Sequence, residues 1–430
     1  MSVAATRDEG APGETEPAPS IPPVPAERRR RRVLFVDDRP DTFEGLREAM
    51  RPSGTGWELE FALGGDEALA TLAEEPVDVL IVEEEMEAMD GVTLLTRVRD
   101  RYPTTIRMIV SATTRPGLAA IVSHRFLSKP CNVAELGLLI KRSYTLRART
   151  GQTDAYRRTM ATTALPSRPT VYLELNRVLS DPNWQPNQVA AAIERDVALS
   201  AKVLQLANSA LFGLTSTVTS VRDAVVYLGV DTIKSLALTA EAFGKLAPRS
   251  VEGFSIDAFQ AHAMLVARIT ASILPAGRSQ QEAVTAALLH DIGKLVMVAD
   301  GSDRWTQLNR QAVDRGLPLF AVEQVQAGGV THADLGAHLL SLWGLPDPIV
   351  EAVANHHSPG SVPGLAFDGV MAVHIANALA NDIAPTGPDA PPPAPLDDEL
   401  LAQMGLGPRI DLWRHLARQL AHEAADGSAH

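Results

Sequence analysis

Short apolar runs punctuate the first part of the chain: VLFV at 33–36, VDVLIV at 77–82 and RMIV at 107–110. Each reads as a strand covered on both faces, and the helical patterns between them predict βαβ units around a parallel, doubly wound sheet. Past Leu165 no such run recurs. Val171, Tyr172, Leu175, Val178 and Leu179 instead follow the i, i+4, i+7, i+8 spacing of an amphipathic helix. Further helix starts are marked by a hydroxyl residue with an acid three positions later, a pair able to satisfy the free N–H groups of a first turn. These are Ser220 with Asp223, Ser279 with Glu282, and Thr331 with Asp334. The expectation is an α/β unit followed by an all-α unit.

Composition adds the boundaries. Residues 1–31 carry Pro and Glu with almost no large apolar side chain, too little to offset the entropy of ordering, and are expected to be disordered. The α/β unit is assigned to 32–147, a polar linker to 148–165 and the helical unit to 166–383. The remainder, 384–430, reads as a proline-rich spacer (APTGPDAPPPAP at 384–395) and an accessory helical tail. A chain of 430 residues exceeds what one core usually serves, which agrees with this division. The net charge of −13 opposes phosphate backbones and anionic membranes, and the basic run Arg28–Arg32, a solvated arm more often than a nucleic-acid or lipid contact, is left unassigned. A lone cysteine, Cys131, excludes an internal disulfide, and neither a signal-peptide pattern nor a bilayer-length apolar stretch is present. A cytoplasmic protein without nucleic-acid or membrane contacts is expected. In NSALFGL, Asn208 and Gly213 are expected to end a helix and Phe212 to pack.

The candidate chemistry of the α/β unit lies at the carboxyl ends of its strands, where ligands of such sheets gather. Asp37 and Asp38 close the first run, Glu83 closes the second, Ser111 follows RMIV, and Lys129 precedes Pro130. Carboxylates suit Mg²⁺, a hydroxyl and an ammonium suit phosphoryl oxygens, and a further carboxylate suits a phosphoryl acceptor. Through VLFVDD, EEEMEAMDG, VSA and FLSKP the segment resembles the response-regulator receiver family, which has a flavodoxin-like fold. The resemblance implies Mg²⁺ at Asp37 and Asp38, a phosphoryl-binding Ser111 and Lys129, and an aromatic switch at Phe126. It places Glu83 where the family has its phosphorylated aspartate, and Glu87 where it has proline. One methylene longer, Glu83 projects toward the phosphoryl position and loses in-line geometry. Three readings stand: Glu83 imitates the phosphorylated state, fills a decayed pocket, or still accepts phosphate slowly.

The helical half holds His262, His290, His332, His338, His356, His357 and His374. His290 and Asp291 sit in the apolar AALLHDIGKL, where a buried charge needs a metal, a backbone carbonyl or another histidine as partner. His338 and His374 read as ordinary packed histidines. The pattern is similar to the HD superfamily of metal-dependent phosphohydrolases, with His262, His290 and Asp291 at its first three positions. His332 with Gly336, and His356 with His357, stand where HD-GYP phosphodiesterases have further ligands. Asn377 replaces the final aspartate, and HHSPGSVPG replaces the HHE and GYP signature. The closer resemblance is to the HDOD family, carried by LPSRPTVYLELNRVL, DVALSAKVLQLANSALFGL, SVRDAVVYLGVDTIKSLAL, ALLHDIGKL and HADLGAHLLSLWGLPDPIVEAVANHH. HDOD domains are signalling modules, so the resemblance implies a bacterial regulator of two-component type, with a sensor kinase or downstream proteins as partners and oligomers allowed. The cluster His262, His290, Asp291, His332, His356 and His357 is a candidate site for a divalent transition metal, and the alternative function is a hydrolase of a nucleotide or cyclic dinucleotide with the metal on His262, His290, Asp291, His356 and His357.

Overall fold

A computed structural model describes residues 31–44, 57–102, 104–112, 122–129, 133–150, 170–179, 181, 183–195, 197–207, 218–246, 251–300, 302–326, 329–385 and 390–427. Cys131, the Asn208–Gly213 segment, Arg28 to Arg30 and the N-terminal tail fall outside these residues.

Five parallel strands, β1 (Arg31–Asp37), β2 (Trp57–Leu63), β3 (Val79–Glu83), β4 (Ile106–Ser111) and β5 (Arg125–Ser128), form one sheet in the order β2-β1-β3-β4-β5. Helices α1 (Gly65–Glu74), α2 (Gly91–Arg101) and α3 (Val133–Thr150) accompany it. One sheet face packs Leu34, Val36, Leu80, Val82 and Ile109 against α1 and α2 residues such as Leu72, Leu94 and Leu95. The other packs Val33, Phe35, Val79, Ile81 and Met108 against Leu136 and Ile140 of α3. Covered on both faces, β1, β3 and β4 are the strands visible as apolar runs. The edge strand β2 alternates polar and apolar residues (WELEFAL), and β5 is four residues long, so neither carries that signal.

The described end of the basic run is part of the sheet. Arg31 and Arg32 belong to β1, where Arg31 lies over the Tyr144 ring and Arg32 grips both carboxylate oxygens of Glu60, at 2.5 and 2.6 Å. Pairing along β1 fixes the backbone of both residues, and Glu60 holds the Arg32 side chain.

The helical unit comprises α4 (Thr170–Leu179), α5 (Pro186–Glu194), α6 (Val197–Ala207), α7 (Val221–Leu228), α8 (Val230–Leu246), α9 (Ile256–Ile273), α10 (Arg278–Leu289), α11 (Ile292–Asp300), α12 (Ser302–Arg315), α13 (Leu319–Gln326), α14 (His332–Leu342), α15 (Asp347–Asn355), α16 (Gly369–Ile383), α17 (Asp398–Gln403) and α18 (Gly407–Gly427). Tyr172 and Leu175 bury the expected stripe of α4. Ser220 caps α7 through the Asp223 N–H, and Thr331 and Asp334 form a reciprocal capping box on α14. Ser279 lies inside α10, whose N-cap is Gly277, so the start proposed at Ser279 is displaced: the positive φ of Gly277 begins the turn two residues earlier.

The C-terminal tail is not accessory. Leu401, Leu406, Ile410, Trp413 and Ala417 are buried in the main helical core, and Trp413 stacks on Phe367 at 5.2 Å. The buried Arg268 of α9 holds α18 by donating to the Leu420 carbonyl and to Glu423. None of the described helices is long and apolar enough to cross a membrane.

Helices α11 and α14 cross without room for a side chain between them. A Cβ on Gly293 would lie 1.8 Å from the His332 carbonyl oxygen, and one on Gly336 would lie 3.2 Å from the Gly293 nitrogen. Gly336, which the sequence pairs with His332 as a ligand motif, therefore serves this crossing. Gly293→Ala is expected to lose about 3 kcal/mol, because only backbone movement relieves the clash. Urea unfolding would show it; an unchanged midpoint would mean the helices can separate freely.

Candidate functional site

At the carboxyl edge of the sheet, Asp37, Glu83 and Ser111 end β1, β3 and β4, Asp38 follows β1 and Lys129 follows β5. Parallel pairing brings them together, as expected from the sequence. The Lys129 ammonium contacts Glu83 Oε2 at 2.5 Å, and the Glu83 carboxylate is buried. Asp37 Oδ1 accepts the Arg39 N–H at 2.9 Å, and Asp38 Oδ2 accepts the Glu87 N–H at 2.8 Å. Thus Glu87, in place of proline, supplies a backbone donor that proline lacks. Phe126 is half-buried in β5. Asp38, Glu84, Glu85, Glu87 and Asp90 line an open acidic mouth beside this pocket.

The second site is built where helices end. His262 comes from the middle of α9. His290 caps α10, Asp291 follows it, His332 opens α14, and His356 with His357 closes α15. Two groups of potential ligand atoms share the aspartate: Asp291, His332, His356 and His357, and His262, His290 and Asp291. Asp291 Oδ1 lies 3.2 Å from His332 Nε2 and 3.6 Å from His356 Nε2, while Oδ2 lies 3.3 Å from His290 Nε2. Lys294, one turn on, reaches Oδ2 at 2.6 Å.

The far ring nitrogens are already occupied. Nδ1 of His290 donates to the Ala287 carbonyl and Nδ1 of His356 to the Val353 carbonyl, each at 2.7 Å. Nδ1 of His332 donates to the buried Glu323 at 2.7 Å. These bonds occupy the Nδ1 positions and turn the Nε2 atoms toward Asp291. His290 Nε2, His356 Nε2, His262 Nδ1 and Asp291 Oδ1 nevertheless lack hydrogen-bond partners among the described residues. Buried polar atoms without partners are costly; these fall into two groups that share Asp291, and a divalent cation in either would satisfy that group's atoms. The donor set therefore fits a metal ion of the Zn, Mn or Fe type, with three imidazoles and one carboxylate in the first group.

Without such an ion the charges are arranged as follows. Burial drives His262 and His356 down to about 3, so both are neutral at pH 7. Burial also opposes a charged His332, but Glu323 and Asp291 overcome it and raise His332 to about 9. Burial of Asp291 is likewise overcome, by His290 and Lys294, which hold its carboxyl well below the usual range. A proton on His332 and the Lys294 ammonium thus balance Asp291 and Glu323. Asn377 does not stand in for a ligating carboxylate, because its Oδ1 accepts from His262 Nε2 at 3.0 Å and from Asn381 at 2.9 Å. His338 and His374 donate to the carbonyls of Thr150 and His356, as packed histidines do.

The cluster floors a cavity of about 410 Å³ walled by Phe254, Phe259, Trp305 and Phe320, with Lys294, Asn309 and Asn381 as polar points. The sequence did not single out Lys294, Glu323 or Asn381. Lys294 was within reach of inspection, three residues from Asp291 on a helical start. Glu323 was not, because only tertiary packing brings it to His332.

A third constellation joins the two units. Arg125 of β5 donates to Glu351 at 3.0 Å and to Ser143 at 2.7 Å, and Ser143 donates to Asp347 at 2.7 Å. Arg142 of α3 donates to Glu351 at 3.0 Å and to Asp368 at 2.9 Å. Arg149 reaches Asp334 and Asn355, each at 2.6 Å. All of these side chains but Asp368, Arg149 and Asp334 are buried. Glu351 and Asn355 lie on α15, the helix that delivers His356 and His357.

Residues 33–141 match the model of the response regulator receiver domain and residues 165–359 that of the HDOD domain. A solved structure of an HDOD domain protein from Geobacter sulfurreducens superposes with a TM-score of 0.52 at 25% identity, covering 66% of this chain and 97% of that one. An uncharacterized protein of Treponema pallidum is 26% identical over half of this chain and 41% of its own length. The transcriptional regulatory protein TrcR of Mycobacterium tuberculosis is 30% identical over 27% of this chain and 48% of its own length. The chain spans less than half the length of either curated relative.

Proposed function

The chain is a two-component-type signalling protein built from a response-regulator receiver domain and an HDOD domain, and we propose that Glu83 holds the receiver in its activated arrangement while the HDOD domain acts as a protein-binding output. The 2.5 Å contact between Lys129 and Glu83 carries this reading. The ammonium meets the glutamate as it would meet a phosphoryl oxygen, so the longer acid replaces the modification by its own charge. The consequence passes through β5, which bears Arg125 four residues before Lys129, to Glu351 and so to α15. A sensor kinase or a downstream protein then meets a receiver that is already set.

Wild-type protein is expected to take up no phosphate from a small phosphodonor. Glu83→Asp is expected to take it up when Asp37 and Asp38 hold Mg²⁺, because the shorter side chain restores room for in-line attack. Glu83→Gln, which keeps the length and removes the charge, is expected to increase hydrogen exchange across 347–355. Protection of that helix identical to wild type would sink the coupling, and phosphorylation of the wild type would sink the imitation.

A second reading is favoured by the unpartnered atoms around Asp291: an HD-type phosphohydrolase of a nucleotide or cyclic dinucleotide. Asp291, His332, His356 and His357 would hold the ion, which when bound supplies Lewis acidity and an acidified water. Within this reading Glu323 orients His332, Lys294 offers a cation to an anionic substrate, and the aromatic wall excludes solvent. Asn377 weighs against it, since a neutral amide already engaged by His262 contributes no charge to the ion.

A further inference from the structure

The cavity above the histidine cluster is walled on one side by the chain's own proline-rich segment. Ala390, Pro391, Pro392, Pro393 and Ala394 line the same space as His262, Asp291, Lys294 and His357. The segment has no regular secondary structure; Ala390, Pro391, Ala394 and Leu396 are half-buried, whereas Pro392, Pro393 and Pro395 are exposed. At its far end Leu396 packs on the helical core and Asp397 caps α17, so the segment is anchored beyond the cavity. Across the cavity itself, no hydrogen bond among the described residues holds 390–395. Proline-rich chain loses little conformational entropy on being held extended there.

We propose that residues 390–395 are a releasable strap that covers the cavity of the HDOD domain and controls access to it. The sequence suits the task. Proline has no N–H to pair with the protein, so the strap cannot fuse with a neighbouring helix or strand, and its stiffness keeps it extended across the opening. The aromatic wall behind it, Trp305 and Phe320 together with His357, becomes reachable when the strap lifts. This inference rests on the cavity and not on an ion in it, so it fails separately from the metal reading.

Hydroxyl-radical footprinting of the full chain, read residue by residue by mass spectrometry, tests it. Replacing Pro391→Gly, Pro392→Ser and Pro393→Gly together is expected to raise labelling of Trp305, Phe320 and His357 several-fold. Trp343, 2% exposed and not part of the cavity lining, reports the fold and is expected to stay unlabelled. Ala394→Glu, a single change on the inward edge, is expected to give the same pattern and decides the matter if the triple variant also labels Trp343. Labelling of the cavity residues equal to wild type in both variants would overturn the strap.

Discussion

Glu351→Ala is expected to destabilise the protein by about 3–5 kcal/mol, the usual loss when one partner of a buried ion network is removed. Glu351 is 3% exposed and accepts from two guanidiniums, Arg125 and Arg142, which are themselves 5% and 8% exposed. Its removal leaves Arg125 with Asp347 at 3.5 Å and Arg142 with Asp368, and strips both of their central anion. The destabilisation reflects the stranded cations and not the favourable energy of the pairs, so replacing Arg125, Arg142 and Glu351 together by apolar residues is expected to lose much less. Denaturant unfolding followed by circular dichroism measures this, and the receiver and helical signals are expected to separate once the network is gone. Arg99→Ala, which removes an exposed pair with Asp100, is expected to leave the midpoint where it was. If Glu351→Ala behaved like Arg99→Ala, the network would have no part in joining the domains.

Elemental analysis of the purified protein is expected to find Mn, Fe or Zn in near-stoichiometric amount, and the double variant His290→Ala, Asp291→Ala to have lost it. Those two substitutions reach both groups of ligand atoms, because Asp291 belongs to each. Glu323→Gln keeps the shape but weakens the hold on His332, and a 10- to 100-fold loss of affinity is expected, as for other outer partners of ligating histidines. Stripping the ion with a chelator is expected to lower thermal stability, since saturation at a hundred times Kd contributes about 2.7 kcal/mol. Metal-free protein that stays folded and takes up no added Mn or Fe would remove the hydrolase reading and leave the protein-binding output standing.

Much of this was legible in the residues. The strands buried on both faces announce themselves as apolar runs, and the phosphoryl-type pocket follows because parallel strands bring their carboxyl ends to one edge. Glu83 could be recognised as a departure by position alone. The histidines could be grouped as candidates because an apolar helix cannot bury His290 and Asp291 without partners. Strand β2 and the short β5 escaped notice, because an alternating edge strand and a four-residue strand leave little periodic signal. The C-terminal helix was undervalued because its apolar stripe says that it packs, not on what.

The sequence by itself determined the two classes of unit, the residue types at each candidate site and the substitutions at Glu83 and Asn377, since these depend on local pattern and chemical identity. Only the tertiary structure decided which groups meet. Glu323 comes to His332, Asn377 turns its oxygen to His262, Arg125 and Arg142 converge on Glu351 more than two hundred residues away, and 390–394 crosses the cavity. Such contacts leave no periodicity along the chain. They arise from how covered faces pack once the helices exist, and a buried charge finds its partner in space and not in sequence.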